Sequence, residues 1–398
     1  MRRNFLAIVL ALGLGFTVPA KAESPPGVTA HEIKIGNTQS YSGPNSSTAI
    51  VGRIQQEYFA ALNQKGGING RKVQIVSLDD GYSPPRALEQ TRKLVEQENV
   101  LAIMATNGTG PNAAIQKYLN AKHVPQLLAI SGAARWDDPK NFPWTTAFFL
   151  PFRAEGEIYG RFIRKTRPDA KIAVLYQNDD LGRDYLQGLQ TGLGPAASQM
   201  IVKTATYEFS DPSIDSQIAI LQSSGADVFV DFSLTRFAVL AMRKTSDIGW
   251  KPLHVLASVG NNQANISLVG ADRVQGMVSS LWLKQVGDPR YADDPRVKDY
   301  FVFMAANEPK ADPRDLLSVL SYTIADVMAR VLQSCGDDLS RENLLTQATS
   351  FKDVQLPLMI DGITLNNSPE HYTAFSKAQL VRLEGERWVP IGDPMGSD

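Results

Sequence analysis

The chain reads as α/β, with two βα lobes each built on a parallel sheet. Three observations predict this. Residues 33–80 spell strand, loop, helix, turn, strand; the alternation restarts near residue 150; and the last third sets a helix-rich stretch between strands. Two parallel strands joined through a helix make a βαβ unit. Two separate runs of such units fit two lobes better than one long sheet, although the halves share no sequence repeat.

The first element is a targeting segment. Met1-Arg2-Arg3 is basic, Phe5 to Phe16 is an apolar run of twelve, and Ala20-Lys21-Ala22 is an A-x-A cleavage site. Twelve residues are too few to cross a bilayer, which takes about 20. A signal peptide over 1–22, cleaved after Ala22, is therefore expected. The exported chain would have no membrane insertion, since no later apolar stretch reads as a span.

Ile33 and Ile35 alternate with Lys34 and Gly36, the period of a strand. The turn cluster Ser40-Tyr41-Ser42-Gly43-Pro44-Asn45 follows it. Ile50, Ile54, Tyr58, Ala61 and Leu62 recur at spacings of three and four, which predicts an amphipathic helix over 48–65. Gly66-Gly67 suit its left-handed end, and Asn69-Gly70 turns the chain into a strand at 73–78. Strands are expected again at 100–104 and 126–130, and helices at 85–98 and 111–122. Pro84-Pro85 fits a first helical turn, where a missing N–H costs little.

In the second run strands are expected at 171–176, 200–208, 227–232 and 253–257. Its helices are expected at 155–167, 182–192, 214–224 and 235–247. The final third offers strands at 276–283, 361–365 and 379–383, and helices at 295–307, 313–334 and 341–350.

Composition excludes several functions. At 398 residues, 43% apolar and 20% charged, the chain is ordinary globular protein. Lys+Arg total 40 against 41 Asp+Glu, so there is no basic footprint for nucleic acid. Loss of Arg2, Arg3 and Lys21 with the signal would leave 37 bases. The single cysteine, Cys335, has no internal partner; in VLQSCGDD it reads as a packed thiol at a helix end.

No G-x-S-x-G elbow or Walker A loop occurs. His31, His123, His254 and His371 lack ligand spacing. The adjacent pairs Asp79-Asp80, Asp137-Asp138, Asp179-Asp180, Asp293-Asp294 and Asp337-Asp338 read as caps and solvated turns. No enzyme activity, cofactor or metal is expected.

Four loops remain, each after a strand: 40–46, 106–112 (TNGTGPN), 131–136 (SGAARW) and 178–182 (NDDLG). Gly, Ser, Thr and Asn at strand ends present N–H groups and small hydroxyls, which bind an anion without a metal.

The strand ending in SGPN, its helix, GGINGRKV, the next strand and Asp79-Asp80 resemble the opening of the leucine/isoleucine/valine-binding type of periplasmic solute receptor. These receptors serve ABC importers. The resemblance runs on through SPPRALEQTRKLVEQENVLAIMATNGTGPN, VPQLLAISGAARW, VLYQNDDLGRD and DPRYADDPRVKDYFVFM, nearly all the chain after Thr29.

It implies the type I periplasmic binding protein fold, a Venus-flytrap with a three-strand hinge near 149–152, 279–283 and 355–361. Lobe 1 would take 31–150 and 283–357, and lobe 2 would take 151–282 and 358–398. The implied partners are a small organic acid or amino acid and the importer's membrane permease. The protein would be a periplasmic monomer.

In such receptors the second and third loops bind the ligand's carboxylate and ammonium. Here they bring Asn107, Gly108 and Thr109, then Ala133 and Arg135. Arg135 departs from the small hydroxyl residue usual there. It would pair with a carboxylate or bridge to Asp137 or Asp138. Where the family's second lobe offers acids to an ammonium, this chain aligns Phe152 and the LASVG stretch at Ser258. A stranded ammonium costs several kcal/mol. Phe152, Leu181 and Phe232 would add an apolar wall, with Tyr41 and Trp136 on facing loops. The expected ligand is a hydrophobic or aromatic carboxylate. The alternatives are a branched-chain amino acid and, in another class, a sensor that regulates a partner protein.

Overall fold

The computed structural model describes residues 24–43 and 45–397; the expected signal peptide lies outside them. Strands β1 (Glu32–Gln39), β2 (Lys72–Asp79), β3 (Ile103–Met104), β4 (Gln126–Ala129) and β5 (Thr145–Ala147) form one parallel sheet in the order β2-β1-β3-β4-β5. The second sheet holds β6 (Ile172–Gln177), β7 (Ile201–Tyr207), β8 (Val228–Phe232), β9 (Leu253–Leu256), β10 (Val278–Leu281), β11 (Lys377–Glu384) and β12 (Arg387–Pro390). Its order is β12-β11-β10-β9-β8-β6-β7, and β13 (Met395–Gly396) pairs with β11. Strands β6 to β10 are parallel; β11 runs antiparallel to β10, and β12 antiparallel to β11.

The parallel parts share one winding order. Each reverses direction beside its first strand, and ligands of open α/β sheets collect at the carboxyl ends of strands at such a reversal.

The helices are α1 (Ile50–Gln64), α2 (Pro84–Glu96), α3 (Thr109–Ala121), α4 (Phe152–Thr166), α5 (Asp180–Leu193) and α6 (Ala197–Met200), then α7 (Asp215–Ser223), α8 (Thr235–Asp247), α9 (Gln263–Val269), α10 (Pro295–Asn307), α11 (Leu316–Ser334) and α12 (Arg341–Ala348). Helices cover both faces of parallel sheets, so central strands lose their alternation. Every residue of β4 and β8 is accordingly buried.

Helices α10–α12 return to the first lobe. Tyr58 Oη donates to Asp326 (3.1 Å), and Arg341 Nε donates to the Leu101 carbonyl (2.9 Å). By length and apolarity α11 would reach across a bilayer, a feature the sequence reading passed over; here two-thirds of that stretch is buried as a core helix. Cys335 ends it as a buried residue whose thiol burial pushes up to about 12.

Helices α4 and α5 touch backbone to backbone. A Cβ on Gly156 would lie 2.4 Å from the Tyr185 carbonyl oxygen, and one on Gly188 would lie 2.1 Å from that of Arg153. This contact sets Glu155 of α4 against Tyr185 of α5.

The chain passes between lobes after β5 and after β10, where Leu283 bridges to Met359. The expected boundary at 358 needs correction. Tyr372 N donates to Asp137 Oδ1 (2.6 Å) and Asn367 Nδ2 to the Ala348 carbonyl (2.9 Å), so residues 366–373 still lie on the first lobe. The strand expected at 361–365 is one bridge, Val354 to Leu365, while β5, β12 and β13 were not expected.

Candidate functional site

A cleft lies between the lobes, lined by loops that follow β1, β2, β3, β4, β5, β6, β8, β9 and β10.

The first lobe supplies hydrogen-bond donors. α3 starts at Thr109, and no side chain caps it. The first N–H groups of a helix lack intrahelical partners, and Pro111 has none, which leaves those of Thr109 and Gly110. Gly108 precedes them at φ +96, and a Cβ there would lie 2.4 Å from the Tyr82 ring. Both facts require glycine. Thr109 Oγ1 shares a 2.8 Å hydrogen bond with Ser131 Oγ, and Asn107 Nδ2 donates to Thr48 Oγ1 at 3.0 Å. A helix start with two hydroxyls beside it is an anion cradle.

The middle of the cleft is apolar: Phe149, Phe152, Leu181, Leu234, Trp282, Leu283 and the first turns of α11 at Leu316, Leu317 and Leu320. Phe149 packs edge-on against both Phe152 (6.0 Å) and Trp282 (5.7 Å).

The far wall holds Ser258, Asn261 and Ser280. Behind it sits Glu155, with no exposed surface. Glu155 Oε1 accepts from Tyr159 Oη (2.6 Å), Ser258 N (2.6 Å) and Ser280 Oγ (2.9 Å); Oε2 accepts from Tyr185 Oη (2.7 Å) and Ser258 Oγ (2.8 Å). These five donors fill the roughly four lone-pair sites of a carboxylate.

Six of the expected residues line the cleft together: Asn107, Gly108, Thr109, Phe152, Leu181 and Ser258. Four do not. Tyr41 lies over Gly52 and bonds Ser77 through its hydroxyl. Ala133 lines a small neighbouring pocket with Trp136 and Tyr372. Phe232 is a core residue stacked on Tyr185 at 4.6 Å. Arg135 is turned away from the cradle and from Asp137 and Asp138. It donates to Gln116 Oε1 (3.2 and 3.0 Å), reaches Asp180 of the other lobe (3.1 Å) and lies over Trp136.

That contact helps hold the lobes together. Ala134 N donates to Asp184 Oδ2 at 2.7 Å, and Tyr82 meets Phe209 with ring centroids 4.6 Å apart. Burial opposes ionisation of Asp180, yet hydrogen bonds and charge from Arg183 and Arg135 hold its carboxyl below the usual range. Tyr82 stands at φ 60, a strained conformation for a tyrosine.

The first loop is tied down from below. Asp79 Oδ1 accepts from the N–H groups of Tyr41 (2.9 Å), Ser42 (3.1 Å) and Gly81 (3.0 Å), and Arg86 reaches Oδ2 at 2.9 Å. Burial opposes its charge, but Ser42, Gly81 and Arg86 outweigh it and hold the carboxyl at about 2. Its neighbour Asp80 is fully buried rather than solvated, and burial raises its carboxyl.

Sequence reasoning missed Glu155, Phe149, Trp282, Asn261 and the α11 leucines. Phe149 and Trp282 carried a signal, each an aromatic within an expected crossing. Among the described residues no cluster of His, Cys, Asp and Glu could hold a metal.

Comparison with known proteins places this geometry. A family model described as periplasmic binding protein matches residues 32–385. A Leu/Ile/Val-binding protein homolog of Brucella suis is 25% identical over 289 residues, 69% of each chain. A solved branched-chain amino acid ABC transporter protein of Thermus thermophilus, with bound valine, superposes with a TM-score of 0.81 at 14% identity, covering 92% of this chain and 97% of its own. A Rhodopseudomonas palustris solute-binding protein in complex with benzoate gives 0.75 at 18%, covering 92% and 98%. The described chain is thus a member of the periplasmic binding protein family, of the type I leucine/isoleucine/valine-binding kind.

Proposed function

We propose that this protein is the extracytoplasmic receptor of an ABC importer and binds a small hydrophobic or aromatic carboxylate between its lobes. The observation that carries the ligand class is the opposition of the α3 cradle to an apolar cleft with no open counter-charge. An acid group would take the Thr109 and Gly110 N–H groups with the Thr109 and Ser131 hydroxyls. The ring or chain would fill the space among Phe149, Phe152, Leu181 and Trp282. Glu155 already accepts as many bonds as a carboxylate holds, so it offers an ammonium no direct site. The crossings between lobes act as the hinge, and the closed form docks on the permease. Every role needed is binding, none bond chemistry.

A thermal-shift panel of benzoates, phenylpropenoates, fatty acids and branched-chain amino acids tests the reading. Ligand at ~100 Kd stabilises by about 2.7 kcal/mol, and an aromatic acid is expected to give that shift. Stabilisation by leucine and by no aromatic acid would refute it.

The second reading, a branched-chain amino acid, is favoured by the similarity to amino-acid receptors, one of them holding valine. Its ammonium would meet only neutral oxygens in this cleft.

A further inference from the structure

Glu155 makes no contact with the cleft, yet it dictates what the far wall offers a ligand. A serine hydroxyl has one proton and two lone pairs. Ser258 spends its proton on Glu155 Oε2 at 2.8 Å and Ser280 on Oε1 at 2.9 Å. Neither proton can swing round to a ligand without leaving a buried carboxyl oxygen short of a donor. Ser258 and Ser280 both belong to the cleft lining, so what their hydroxyls have left to offer there is acceptor capacity, part of which Ser280 shares with Tyr159 Oη at 3.1 Å.

Asn261 is locked the same way. Its Nδ2 donates to Ser279 Oγ (2.8 Å) and to the Ser280 carbonyl (2.9 Å). Ser279 sends its own proton to the Leu256 carbonyl at 2.7 Å, and a carbonyl has no proton to give. The amide therefore cannot be flipped. Its Oδ1 is left without a partner in a residue with no exposed surface. A buried acceptor left without a donor is destabilising, and a ligand that supplies one relieves it. The three oxygens form a corner that accepts and cannot donate.

We propose that this corner selects acids carrying a hydrogen-bond donor, a hydroxyl group, at the end remote from the carboxylate. Glu155 is the positioning residue that fixes the polarity of the corner. The inference rests on the carboxylate reading above and adds the second functional group. A site built to bind a hydroxyl rejects the analogue without one, because its own polar atoms are then left unpaired.

The test is titration calorimetry of the whole protein with benzoate, 3- and 4-hydroxybenzoate, their methyl ethers and leucine. At least one hydroxybenzoate is expected to bind 10-fold or more tighter than benzoate, and its methyl ether more weakly than benzoate. Glu155→Gln brings an amide donor to the network, so one serine can turn its proton to the cleft. The preference for hydroxyl over methyl ether should then fall to a few-fold, a change that loosened packing alone would not produce. Should that variant fail to fold, Ser258→Ala and Ser280→Ala, which remove only an oxygen each, must shrink the same ratio. If benzoate and its methyl ethers bind as tightly as the hydroxybenzoates, or the ratio survives all three variants, the acceptor corner is refuted while the carboxylate reading stands. If leucine binds and no benzoate does, both fall.

Discussion

The loops after β3 and β4 meet the cleft with the N–H groups of an uncapped helix start and two hydroxyls. The loops after β8 and β9, at matching places in an identically wound sheet, meet it with Leu234 and with serine and asparagine oxygens turned into acceptors. On the proposed reading, one wall attracts negative charge and the other does not. Shared topology fixes where a ligand sits, but a few side chains decide what each lobe says to it. In lobe 1 the helix start supplies the polarity. In lobe 2 a buried carboxylate behind the surface supplies it.

Breaking the donor wall should have the largest effect. The double variant Thr109→Val with Ser131→Ala removes both hydroxyls. Their mutual bond leaves one proton of the pair for the ligand; a hydrogen bond to a charged group is worth about 1.5–3 kcal/mol, so carboxylate affinity should fall at least ~10-fold in calorimetry. The methyl ester of the same ligand should lose far less. Equal losses for acid and ester would erase the contrast between the walls.

Gly108→Ala strains the same wall through φ +96 and drives a methyl group into the Tyr82 ring. The fold should lose about 1–3 kcal/mol, read as a lower Tm, and ligand affinity should drop with it.

The support beneath the first loop should respond to acid. The Asp79 carboxyl is held at about 2, below its value in the unfolded chain. It therefore contributes stability that is fully present above ~pH 4 and is lost as pH falls through the folded value. Asp79→Asn should lower stability at pH 7 by roughly 1–2 kcal/mol and flatten the acid limb of the Tm profile between pH 4 and 2.

The smallest effect is expected at Arg135. Its partners are Gln116 and a partly exposed Asp180, and such ion pairs contribute ~0–1 kcal/mol. Arg135→Ala should weaken ligand binding only a few-fold, by loosening the closed form. A 100-fold loss would return the guanidinium to the ligand.

Much of the fold was readable from the chain. The period of Ile33 and Ile35, the helix ended by Gly66-Gly67 and the restart near 150 all depend on neighbours in sequence. The cradle was readable too, because TNGTGPN puts a glycine, a hydroxyl and a proline at a helix start. Arg135 and Tyr41 show where such reading stops. Each sits in a loop beside the cleft, but Gln116 and Asp180 draw the one aside and Ser77 the other, and none of these partners is near in sequence. Glu155 was hidden more deeply. In EGEIYGRF it reads as one acid among the polar residues of a helix, and only the approach of α5, β9 and β10 buries it among hydroxyls.

The most direct test is a crystal structure with a bound aromatic acid. Carboxylate oxygens are expected within about 3.2 Å of the Thr109 and Gly110 nitrogens and the Thr109 and Ser131 hydroxyls, with the ring between Phe152 and Trp282. A carboxylate found instead against Ser258 and Asn261, or on Arg135, would contradict the assignment of the two walls.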